Sequence, residues 1–155
     1  MEVITDNQND IKRAFVFPGQ GSQSVGMGLE LYRLSSAARE VFEEADASLG
    51  FSLSDLVFNG PSDVLQDTVN SQPAIMLVSI ACWKAWQEYL GFDTRSPDSV
   101  AGHSLGEYTS LVVSGVLSFS DGLRLVRERG RLMHEAGLSR PGGMAAIIGL
   151  DDFSL

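Results

Sequence analysis

One cysteine in the whole chain, Cys82, excludes an intramolecular disulfide and a cysteine metal cluster. Its position inside an apolar helical stretch predicts that it fills core. Positive charge is also scarce. Eleven Lys and Arg against 20 Asp and Glu leave a net charge of −9, which disfavours nonspecific nucleic-acid binding. An anionic substrate remains compatible with that balance, because a local arginine can dominate a pocket. No apolar run is long enough to span a bilayer. Residues 1–13 are polar, lack the apolar segment of a signal peptide and predict a mobile tail. These absences favour a cytoplasmic protein with neither nucleic acid nor membrane as partner. Internal repeats and low-complexity segments are missing as well.

What remains is ordinary globular material. The 155 residues are 44% hydrophobic and 20% charged, enough for one domain with a real core and unlike a disordered chain. The most informative stretch is Val100 to Tyr108, which contains G-x-S-x-G as Gly102, His103, Ser104, Leu105 and Gly106. A short apolar strand ends there, the chain turns, and a helix begins at or just after Ser104. Glycines at positions 102 and 106 allow strand and helix backbones to meet without Cβ clashes, leaving the hydroxyl in open space. The helix N-terminus adds unsatisfied N–H groups and a positive dipole end for a developing oxyanion. Sixteen glycines make a chance match easy, so two readings stand: a nucleophilic serine or a tight strand–helix turn.

In chain order, Ala14–Phe17 is a continuously apolar strand of the kind found in parallel sheets covered on both faces. Pro18 to Gln23 is a Gly-rich turn. It lacks the later glycine of a dinucleotide fingerprint and the Gly-Lys-Ser/Thr of a P-loop, so it reads equally as a plain or a functional loop. Helices are expected over 27–32, 37–49 (ended by Gly50), 54–58 and 62–66. The acidic residues of 37–49 form a solvated face. Pro73 is expected to open a long helix running to Leu90, apolar around most of its girth and buried between layers, with Gly91 just past its end. Trp83 and Trp86 on it read as core or interface residues. A loop over 92–99 leads into the elbow. Ser118 to Asp121 starts an amphipathic helix ending near Gly137. Residues 141–143 form a turn and 144–149 a strand.

The helix over 121–136 carries a second clue. At 100° per residue, Leu125, Val126, Leu132, Met133 and Ala136 share an apolar arc, and the other charged residues face away. Arg129 alone among the charges lies within that arc. A buried guanidinium needs a partner, so Arg129 either makes a structural ion pair, snorkels, or lines a pocket and awaits an anion. Its planar fork suits a carboxylate. His134 falls on the solvent side. His103 leaves the strand by the face opposite Ser104 and is expected to pack or hydrogen-bond locally.

Together these pieces resemble the malonyl-CoA:acyl carrier protein transacylases and the related acyltransferase domains of fatty-acid and polyketide synthases. The matching segments are 17–23, 71–74, 102–108, Arg129-Gly130 and 143–149, in the family's order, and the similarity runs from about Ala14 to Asp152. The resemblance implies an α/β fold: an incomplete α/β-hydrolase-like large subdomain over 14–140, with a parallel sheet and helices. The first strand of a ferredoxin-like small subdomain would follow over 141–155. It implies that Ser104 takes the malonyl group from coenzyme A as an ester, that the backbone N–H groups of Gln20 and Leu105 form the oxyanion hole, and that Arg129 binds the malonyl carboxylate. Acyl carrier protein would receive the acyl group on its phosphopantetheine thiol. No metal and no cofactor are implied, malonyl-CoA being a substrate.

Family members are about twice as long. Their catalytic histidine lies in a Gly-x-x-His segment beyond Leu155, and neither His103 nor His134 matches it. The expectation is therefore an N-terminal half with little activity alone, whose missing C-terminal half is a further partner. A serine esterase or thioesterase-like hydrolase also uses G-x-S-x-G, and a noncatalytic remnant binding coenzyme A or a carrier protein is the third reading.

Overall fold

The computed structural model describes residues 12–91 and 97–140, with Gly142 and Gly149. The elements are strand β1 (Ala14–Phe17), helices α1 (Leu29–Leu34), α2 (Ser36–Leu49), α3 (Leu53–Asn59), α4 (Ser62–Gln66) and α5 (Thr68–Leu90), strand β2 (Ser99–Gly102), and helices α6 (Leu105–Val113) and α7 (Phe119–Ser139). The two strands pair in parallel, Ala14 opposite Ser99 and Phe17 opposite Gly102. Helices over 29–90 make the crossover that a parallel pair requires. The mixed α/β class with a parallel sheet is thus observed. Of the expected tail over 1–13, residues 1–11 lie outside the described residues, as do 144–148 of the expected strand over 144–149 and all of 141–155, the expected start of the small subdomain, except Gly142 and Gly149. Arg13, at the end of the expected tail, is tied in: its N–H donates to Asp98 Oδ2 at 2.8 Å and its carbonyl accepts from Asp98 and Ser99.

Local signals in the sequence set most helix ends. Ser35 caps α2 by accepting from the Ala38 N–H, and Gly50 closes it with φ 72°. Ser52 and Ser118 cap α3 and α7 in the same way. One boundary differs. Pro73 does not open α5; the helix starts five residues earlier at Thr68, with Asp67 accepting from the Val69 N–H. Pro73 therefore sits in the second turn, inside the helix, where its missing N–H leaves the Val69 carbonyl without its intrahelical donor.

The core is helical. Phe42 of α2, Leu53 and Val57 of α3, Leu65 of α4, Met76 and Leu77 of α5, and Leu123 and Val126 of α7 are almost wholly shielded. α5 runs through the middle, buried from Ser71 to Leu77 and at Ile80 and Ala81. Its far end is not: Cys82 is exposed and Tyr89 is 87% exposed. Cys82 is therefore not a core filler. It lies beside Trp83 and Trp86 in a groove of about 440 Å³ lined also by Phe15, Phe17 and Ile75. Phe15 meets both indoles edge-on, at 5.0 and 5.3 Å.

The sheet also departs from expectation. Phe17 is buried, but Val16 is 75% exposed and Ala101 is exposed, so only one face is covered among the described residues. Period-two alternation sends Phe15 and Phe17 toward the helices and Val16 away from them.

On α7 the buried residues are Gly122, Leu123, Val126 and Gly130. Of the apolar arc read from the sequence only Val126 is buried; Leu125, Leu132, Met133 and Ala136 are exposed. The reason is close approach. A Cβ on Gly130 would lie 2.5 Å from the Thr68 carbonyl oxygen, and one on Gly122 would lie 2.6 Å from Val112 Cγ2. α7 packs through its glycines, which turns the neighbouring hydrophobic stripe to the side.

Candidate active site

The elbow is built from backbone contact. A Cβ on Gly102 would overlap the carbonyl of Gly106, and one on Gly106 would overlap the Phe17 carbonyl and lie 2.8 Å from the Pro18 carbonyl oxygen. Strand end, helix start and the turn after β1 thus meet with no side chain between them. Ser104 sits at the corner with φ 56° and ψ −108°, the one non-glycine residue with positive φ among the described residues. A non-glycine residue held there stores strain that the surrounding contacts must impose. The strain lifts the exposed side chain of Ser104 off the end of β2.

Above it lies Arg129. Its Nη2 donates to Ser104 Oγ at 2.9 Å and its Nη1 to Gln72 Oε1 at 2.6 Å. The guanidinium carbon stands 5.7 Å from the centre of the Tyr108 ring. Both hydrogen-bond partners are neutral, and no carboxylate pairs with Arg129 among the described residues. Of the readings left open by the sequence, the structural ion pair is absent here. The cation faces the serine.

Gln72 was not singled out from the sequence. It is fully buried in α5, with Oε1 held by Arg129 and Nε2 3.3 Å from Met133 Sδ. Its signal in the sequence is only a glutamine directly before Pro73, after Asn70 and Ser71. A buried amide needs partners, and an arginine was the natural one.

The turn holding Gln20 lies against the elbow. A Cβ on Gly19 would overlap the His103 ring and lie 2.9 Å from its carbonyl oxygen, and the His103 N–H donates to the Phe17 carbonyl at 3.1 Å. Two side-chain amides fasten the turn: Gln20 Nε2 to Thr68 Oγ1 at 3.1 Å, and Gln23 Nε2 to Gln66 Oε1 at 2.7 Å. Leu105 is the first residue of α6, so its N–H belongs to the free end of the helix.

His103 packs against Gly19, as its strand position implied. His134 is exposed and stands 3.3 Å from Asp67 Oδ1. Neither is bonded to Ser104, so its hydroxyl proton has no histidine acceptor among the described residues. Nor do these residues hold a group of three His, Cys, Asp or Glu able to bind a metal ion. No helix among them is long and apolar enough to cross a membrane.

Known proteins resemble this chain over most of its length. A malonyl CoA-acyl carrier protein transacylase of Salmonella typhimurium is 50% identical over 142 residues, which is 92% of this chain and 45% of that protein. A Bacillus subtilis protein of the same name is 49% identical over 140 residues, covering 90% of this chain and 43% of its own length. This chain therefore spans about half the length of the curated relatives it matches. The crystal structure of an acyl-carrier-protein S-malonyltransferase from Burkholderia pseudomallei superposes with a TM-score of 0.82 at 47% identity, over 93% of this chain and 46% of that one. A structure of a type II PKS acyl-carrier protein in complex with its malonyl-transacylase gives 0.75 at 44% identity, over 81% and 40%. The acyl transferase domain model matches residues 14–152, and the chain belongs to that family.

Proposed function

We propose that this chain is the nucleophile-bearing part of a malonyl-CoA:acyl carrier protein transacylase of fatty-acid biosynthesis. One observation carries the reading: an arginine with no carboxylate partner among the described residues, anchored on Gln72, touches the hydroxyl of an elbow serine. A cation so close to the nucleophile suits an acyl group that ends in a negative charge.

In this reading Ser104 Oγ attacks the thioester carbonyl of malonyl-CoA and loses its proton to a general base. The Gln20 and Leu105 N–H groups hold the oxyanion. The C–S bond breaks, the coenzyme A thiol leaves with the proton, and a malonyl ester remains on Oγ. Arg129 gives up its bond to Oγ and takes the free carboxylate through its planar fork. The phosphopantetheine thiol of acyl carrier protein then attacks the ester and restores Ser104. That is ping-pong exchange through an acyl-enzyme, and it asks for no metal or cofactor. Residues 14–140 are the large subdomain and 141–155 the start of the small one. The further length that relatives carry supplies the histidine base and covers the bare sheet face at Val16.

The test joins this chain in register to the remaining length of the Salmonella typhimurium relative. On incubation with malonyl-CoA, mass spectrometry is expected to find a malonyl ester on the Ser104 peptide that disappears when acyl carrier protein is added. S104A should abolish it. An adduct on another residue, or none on the folded protein, refutes the reading. Residues 1–155 alone should acylate slower by orders of magnitude, since the base is absent.

A further inference from the structure

Gln20 and Gln23 flank the tip of the turn after β1, and both reach to one short stretch of chain, residues 66–68. Gln23 is 8% exposed; its Oε1 accepts from the Gly21 N–H at 2.8 Å while its Nε2 donates to Gln66. Gln20 is exposed, and its side chain is held by Thr68 Oγ1. Thr68 is in turn fixed from its other side. Gly130 packs so closely on its carbonyl that a Cβ would lie at 2.5 Å, and Gly130 is the residue after Arg129. One threonine therefore joins the turn to the helix that carries the cation.

We infer that Thr68 is a positioning residue: its hydroxyl anchors the Gln20 side chain and so holds the Gln20 main-chain N–H in place for the oxyanion. The proposal rests on the transacylase reading, in which that N–H is a donor. Its logic is geometric. A glycine-rich turn has many backbone conformations of similar energy, and a donor useful to a transition state must be held in one of them. Gly19 and Gly21 leave Gln20 between two permissive residues, and the bond to Thr68 fixes the side chain between them. Arg129 reaches Ser104 from α7 without using this bond, so substrate binding and donor placement are separable.

The experiment uses T68V, which removes the hydroxyl and keeps the shape, and T68S, which restores it. In the completed protein described above, T68V is expected to lower kcat for malonyl transfer about tenfold, short of the roughly hundredfold or greater loss on deleting an oxyanion donor outright. KM for malonyl-CoA should stay within about twofold, and T68S should recover most of kcat. Q20A removes the other end of the same bond, so Q20A/T68V should be no slower than the slower single variant. In the 155-residue chain itself, amide exchange at Gly19 to Gly21 should quicken in T68V and return in T68S. Wild-type kcat and unchanged exchange in T68V, or losses that multiply in the double variant, would overturn the role of Thr68 alone. Absence of acyl-Ser104 in the unsubstituted completed protein would overturn the transacylase reading, and this proposal with it.

Discussion

Arg129 Nη2 and Ser104 Oγ are 2.9 Å apart, although Arg129 lies on α7 and Ser104 at the corner just before α6, 25 positions apart in the chain. In the proposed reaction a carboxylate taken by Arg129 replaces Ser104 Oγ as acceptor, so binding exchanges one acceptor for another. R129A is expected to cut the preference for malonyl-CoA over acetyl-CoA by about 10- to 100-fold, the loss of a charge-assisted bond of about 1.5–3 kcal/mol. R129K should recover part of it, because an ammonium keeps the charge and loses the fork. Competition between the two thioesters for Ser104 in the completed protein measures this. An unchanged preference would remove the carboxylate role.

Two glycine substitutions should act in opposite directions. In G102A the new methyl meets the Gly106 carbonyl, and neither backbone can yield, so a loss of about 1–3 kcal/mol or more is expected. In G137A the methyl meets nothing within 4 Å on an exposed turn of α7, and a gain of about 0.5–1 kcal/mol is expected. Thermal denaturation of the 155-residue chain compares them. Equal effects would mean that the elbow is looser than its contacts indicate.

Glu88 ties the far end of α5 to the start of α2. Ser35 Oγ and Ser36 Oγ donate to its carboxylate, and the Ala37 N–H stands at 3.4 Å. The bond from Ser35, then that from Ser36, hold its carboxyl below the ordinary range. A depressed folded value means that the stabilisation is complete above the unfolded carboxylate pKa and fades as pH falls through the folded one. The stability gap between wild type and E88Q should therefore hold from neutrality down to the unfolded glutamate value of about 4.3 and close only as pH falls further. Denaturant titrations across that range measure it; a gap that widened in acid would contradict the assignment.

Cys82 reports on the uncovered groove. It is surface-accessible, yet burial against its neighbours pushes the thiol above its usual value. Alkylation in the 155-residue chain should proceed and keep accelerating with pH beyond about 8.5, where an ordinary thiol levels off. In the completed protein it should slow sharply as the groove is covered. Equal rates in both would mean that the further length packs elsewhere.

The elbow was legible because its signal is local: two glycines and a serine between a strand and a helix. Arg129 was legible as a charge in the wrong arc, and the structure puts it beside Ser104. The arc itself was misread. Hydrophobic periodicity counts side chains, whereas α7 buries Gly122 and Gly130, whose contribution is the absence of one. Cys82 and Val16 were expected inside because their neighbours are apolar; composition cannot say whether anything packs on the other side. The early start of α5 was hidden by the usual place of proline, which also left Gln72 outside the expected helix. The seven helices among the described residues agree with the sequence to within a few residues apart from that start.

The pairing of Phe17 with Gly102 has a consequence for how such a chain can change. Both functional turns leave the same rung of one ladder, each within a few residues of it. Deleting or inserting a single residue in either strand would slide one turn past the other by about 3.3 Å and swap which way its side chains point. Length variation should therefore be tolerated in the connections beyond this ladder and fatal within the eight residues that form it.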